Sequence, residues 1–65
     1  MIAKQIDWNL EAERAARMTD SELWYARLDA VDTARNGMPE NEGFYMDQAS
    51  VYRAEMDRRA GRKAK

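Results

Sequence analysis

Two stretches of this chain fit together as a helical hairpin, and they constrain its fold more than any other feature. Met18-Thr19-Asp20-Ser21-Glu22-Leu23 has the pattern of a helix start. The Thr19 hydroxyl can take a free backbone N–H, Glu22 can reach back to the cap, and Met18 with Leu23 can staple the first turn. Gly43-Phe44-Tyr45-Met46-Asp47-Gln48-Ala49-Ser50-Val51-Tyr52 and the residues after it carry apolar side chains at the spacing of a second long helix.

The helix that starts at Thr19 is expected to run to about Arg35. There Asn36-Gly37 offers the left-handed conformation that commonly ends a helix. Met38-Pro39-Glu40-Asn41-Glu42-Gly43 then forms a loop, and the last helix spans about residues 44–60, with Gly61 as its stop. So short a loop makes the two helices antiparallel neighbours. An earlier helix is expected over about 8–17, with Asp7 as N-cap and Trp8, Ala12, Ala15 and Ala16 on one face. Residues 1–7 are an arm, with Ile2 and Ile6 as its apolar contacts, and 61–65 a basic tail. The fold class is all-α: an antiparallel hairpin of about 20–35 and 44–60 with an added N-terminal helix.

At 100° per residue, Leu23, Ala26, Ala30 and Ala34 share one side of the second helix, while Trp24, Leu28 and Val31 share an adjoining one. An apolar sector this wide suits a helix with two neighbours, such as the first and third helices, or one helix of its own chain and one of a second subunit. On the last helix the stripe is Tyr45, Ala49, Tyr52, Met56 and Ala60. Trp24, Leu28, Val31, Tyr52 and Met56 are expected to pack. Arg27 and Gln48 lie beside the core and are expected to meet Glu55 across the hairpin, or, for Arg27, to cover apolar surface with its stem.

In 65 residues there is neither cysteine nor histidine. This removes disulfides, thiolate and imidazole metal sites, a cysteine nucleophile and a histidine base. Packing alone must hold the chain, at a size where one core is marginal, and a homodimer or a stable complex would supply the missing burial. No cofactor is expected, and no nucleophile, base or cofactor motif points to an enzyme.

The sequence resembles small proteins of tailed phages and prophages with a Met-Ser/Thr-Asp-x-Glu-Leu start, a turn, then Gly-x-Tyr-x-Asp-Glu, a Tyr and a Glu-Leu-x-x-Arg ending. The matching residues are Met18 to Leu23, Gly43 to Gln48, Tyr52, Glu55-Met56 and Arg58-Arg59, across about two-thirds of the chain. Gln48 departs from the pattern, where an acid is more usual, and the first 17 residues look like an added element. The resemblance implies an origin in a mobile element. It carries no activity, and it turns expectation toward a protein that binds and modulates or inhibits a host or phage protein in the bacterial cytoplasm.

The expected partner contacts are Trp8, Tyr25, Asp29 and Asp32. Tyr25 projects away from Leu23 between two carboxylates, an aromatic among acids that suits a protein contact. Asp29 and Asp32 by themselves also fit a solvated acidic face, and no metal loop surrounds them. The alternative function is nucleic-acid binding through Arg58, Arg59, Arg62, Lys63 and Lys65. Against it, no aromatic residue follows Tyr52 to stack on bases, and cations at a helix C-terminus are explained by the macrodipole. The segment from Asn36 to Gly43 is too long for the tight turn of a helix-turn-helix. No apolar run has the length of a membrane span, and the net charge of −1 argues against a general nucleic-acid coat.

Overall fold

A computed structural model describes residues 5–64, with side chains as far as Gly61. Within these residues the ordered structure is helical throughout: α1 (Trp8–Arg17), α2 (Asp20–Asn36), one 3-10 turn (Pro39–Asn41) and α3 (Glu42–Ala64). Residues 1–4 of the expected arm, and Lys65, lie outside the described residues.

The helix starts follow the cap chemistry of the sequence. A side-chain oxygen of Asp7 accepts the Leu10 N–H at 3.1 Å. At α2 the reciprocal box closes: the Glu22 N–H donates to the Thr19 hydroxyl at 3.1 Å, and the Thr19 N–H donates to the Glu22 carboxylate at 2.8 Å. Two otherwise unpaired donors are satisfied by two side chains three residues apart.

The helix ends depart from expectation. Gly37 does close α2, but with φ −89° and ψ −164°, an extended conformation in place of the left-handed one. Its N–H donates to the Thr33 carbonyl at 2.7 Å, and a Cβ at this position would sit 2.6 Å from that same oxygen. Glycine is needed here for close approach to the preceding turn rather than for positive φ. Pro39 then opens the 3-10 turn, where its missing donor costs nothing, and that turn leads directly into α3 at Glu42. Gly61 does not stop α3, which continues through Arg62 and Lys63 to Ala64. A mid-helix glycine costs only about 1 kcal/mol, and three good helix formers follow it. The residues expected to form a separate tail are thus helical as far as Ala64.

Packing joins α2 along α3 and sets α1 against α3 as well. The core holds Ala15, Leu23, Ala30, Ala49 and Tyr52, with Met18, Ala26, Val31, Val51 and Met56 packed against it. Among the described residues, Leu23 is the only large side chain with no exposed surface. The alanines bring the helix backbones close, and they bury little area each.

One of the two apolar strips of α2 is therefore covered, and the other only at Val31. Leu23, Ala30 and Ala34 are buried, whereas Trp24 and Leu28 remain 48% and 44% exposed. The expectation that Trp24 and Leu28 pack in the core is corrected: α3 supplies a neighbour on one side only. Trp8 is also exposed, as are Leu10, Met38 and Met46.

Replacing Leu23 by alanine is expected to lower stability by about 3 kcal/mol, and Trp24→Ala by about 1 kcal/mol or less, in urea unfolding. Gly61→Ala, where an added Cβ meets nothing within 4 Å, is expected to raise stability by about 0.5–1 kcal/mol in the same assay.

Candidate functional site

Three groups of polar side chains stand out, and they serve different purposes. The first gathers around Arg59 on α3. Its guanidinium donates to Asp20 at the start of α2 (2.7 Å), to Glu55 one turn back (2.8 Å) and to the Met18 carbonyl (2.7 Å). Longer contacts reach the carbonyls of Ala15 (3.3 Å) and Ala16 (3.4 Å). These carbonyls belong to the last turn of α1 and the residue that ends it, where the helix dipole is negative; that of Ala15 also accepts the Met18 N–H at 3.1 Å. Arg59 thus caps α1, pairs with the first turn of α2 and stays on α3.

Glu55 completes this group. It is buried, it accepts from both Arg58 and Arg59, and those hydrogen bonds hold its carboxyl at about 2. Arg58 and Arg59, the first two cations of the nucleic-acid alternative, are both paired with Glu55; the Arg58 side chain is half-exposed and that of Arg59 only 20% exposed. The side chains of Arg62 and Lys63 lie outside the described residues.

The second group joins α1 to α3. Glu11 is buried, accepts from the Gln48 amide at 3.4 Å and lies 3.6 Å from Arg14. Burial, reinforced by the Glu11 charge, raises the Tyr52 phenol above its usual range. The expected meeting of Arg27 and Gln48 with Glu55 does not occur. Gln48 turns to α1, and Arg27 lies over the Trp24 ring, its guanidinium carbon 5.0 Å from the ring centre. Its Nε is shielded from solvent with no hydrogen-bond partner.

The third group is the outer face of α2. Tyr25, 70% exposed, lines a shallow cleft of about 410 Å³ with Ala26, Leu28, Asp29 and Asp32. Asp29 has no ion-pair partner among the described residues, and Asp32 accepts at 2.9 Å only from the Asn36 amide on its own helix. Three of the four expected contacts therefore share one surface. Trp8 is apart from them, on a groove of about 440 Å³ between α1 and α3 floored by Ala12, Ala15, Val51 and Ala54.

Leu28 joins the Tyr25 surface although the sequence placed it in the core. The width of the apolar sector on α2 was the signal that could have shown this. Among the described residues no three acidic, histidine or cysteine side chains converge as a metal site, and no helix is long and apolar enough to cross a membrane. This all-α arrangement of three helices has no match among protein-family models, curated proteins or solved structures.

Protonating Glu55 should weaken the Arg59 corner. Its carboxyl is depressed from 4.5 to about 2 in the fold, so the stability it contributes is present above about pH 4.5 and is lost as pH falls through about 2. Urea midpoints measured between pH 6 and pH 2 should fall across that window, and Glu55→Gln should flatten the fall. At pH 7 Arg59→Ala should lower the midpoint more than Arg58→Ala, with Arg59→Lys between them, because an ammonium cannot reproduce the planar fork.

Proposed function

We propose that this chain is a small, non-catalytic protein-interaction module of phage or prophage origin that binds a host or phage protein in the bacterial cytoplasm and modulates or inhibits it. The observation that carries this reading is the outer face of α2. Tyr25, Leu28, Asp29 and Asp32 lie together at the surface, and no other part of the described fold covers them. An exposed aromatic and a leucine provide desolvation area, and two carboxylates beside them select a partner with an apolar, basic surface.

The antiparallel α2–α3 hairpin acts in this proposal as the scaffold, and the module works as a homodimer. The small core and the many exposed large apolar side chains support association. Trp8, with its separate groove, provides a second contact region. The engagement of Arg58 with Glu55 and of Arg59 with Glu55 and Asp20 disfavours the nucleic-acid alternative, because two of its five cations already face two carboxylates within the chain.

The test is an affinity capture from bacterial lysate, treated or untreated with nuclease, comparing the unaltered chain, a version ending at Ala60 and a Tyr25→Ala/Asp29→Lys/Asp32→Lys variant. A protein retained by the first two baits and lost from the third is the expected result. Recovery of nucleic acid alone, lost when residues 61–65 are removed, would replace this function with the alternative.

A further inference from the structure

The uncovered face of α2 has a period of its own. Ser21, Trp24, Leu28, Val31 and Arg35 follow one another at intervals of three, four, three and four residues, the spacing of a coiled-coil seam. All but the half-buried Val31 are exposed, while the adjoining side of the helix, Leu23, Ala30 and Ala34, is buried in the chain's own core. The inner contact of α2 and this outer row therefore share only Val31, which already packs against the core from its inner edge.

Charge is distributed unequally about the row. Arg27 flanks it on one side; Tyr25, Asp29 and Asp32 flank it on the other. Arg27 is in no ion pair among the described residues, and its shielded Nε lacks a partner. Asp32 has no cation, only the Asn36 amide. In two parallel helices packed through such a seam, a residue at the position of Arg27 faces the residue five places further along the other chain, which is Asp32. In an antiparallel pair like flanks meet, so that the acidic flanks of the two copies lie along each other and Arg27 meets no carboxylate.

We infer that α2 pairs in parallel with α2 of a second copy of this chain through Ser21, Trp24, Leu28, Val31 and Arg35, with Arg27 of each copy paired to Asp32 of the other. This inference rests on the dimeric reading proposed above and specifies its face, direction and ion pair. Within the seam, Trp24 and Leu28 expose roughly 200 Å² per copy, well below the standard size of a specific interface. The dimer is therefore a concentration-dependent one. Tyr25 and Asp29 remain on the rim of each copy, so a partner would meet two such rims on one side of the assembly.

The absence of native cysteine makes the direction measurable. In the parallel seam, Ser21→Cys faces its own copy within disulfide reach, about 7 Å or less between Cα atoms; in an antiparallel pair centred on Leu28 the two lie about 20 Å apart. Under mild oxidation Ser21→Cys should give a covalent dimer as its main product, and Leu28→Asp in the same chain should abolish it. By sedimentation velocity, Arg27→Asp should weaken self-association at least tenfold, and Arg27→Asp/Asp32→Arg should restore it, with helical circular dichroism unchanged throughout. A Ser21→Cys chain that stays monomeric, cross-linking indifferent to Leu28→Asp, or cross-linking only between Ser21→Cys and Arg35→Cys chains would each overturn the seam. A monomeric Ser21→Cys chain that still captures a Tyr25-dependent partner would leave the binding function standing. Efficient cross-linking with no such partner would sustain the seam and overturn that function.

Discussion

The fold turns on one guanidinium. Arg59 meets the carbonyls at the end of α1, the acidic first turn of α2 and a buried carboxylate on α3, so a single side chain joins the corner where all three helices come together. A lysine would offer one point charge to acceptors arranged in a plane around a fork. Because the core is built mostly from alanine, the apolar contacts alone define the relative positions of the helices weakly. The polar corner supplies direction where the core supplies closeness.

That division of labour explains the surface. Alanine at Ala15, Ala30, Ala34 and Ala49 lets helices approach, but it leaves no recess deep enough to take Trp8, Trp24 or Leu28. The large side chains that would have enlarged a bigger core are left outside, on two separate faces. The chain keeps its bulk at the surface and its small residues within.

Much of the architecture was legible in the sequence because local chemistry set it. Asp7 and Thr19 fixed the starts of α1 and α2, and the i, i+3, i+4 rows identified the buried sides around Leu23 and Tyr52. The helix ends were less legible. Gly37 and Gly61 carry the same letter, yet one is required by a 2.6 Å approach to Thr33 and the other is merely tolerated inside α3. The grouping of Tyr25, Asp29 and Asp32 followed from helical spacing, whereas the isolation of Trp8 depends on how α1 lies against α3. The role of Arg59 was hidden because its acceptors are mainly backbone carbonyls about forty residues away, which leave no trace in composition or periodicity.

The order of the helices along the chain has a consequence for biosynthesis. Both α1 and α2 are covered by α3, which is made last of the three. On the ribosome the earlier two emerge with Ala15, Leu23 and Ala30 still bare, and neither holds a packing surface for the other of the size that α3 provides. Closure therefore waits until Arg59 has been added and cleared the exit tunnel. For that interval the nascent chain presents its apolar rows to whatever chaperone or neighbouring copy is at hand, and assembly can begin before folding is complete.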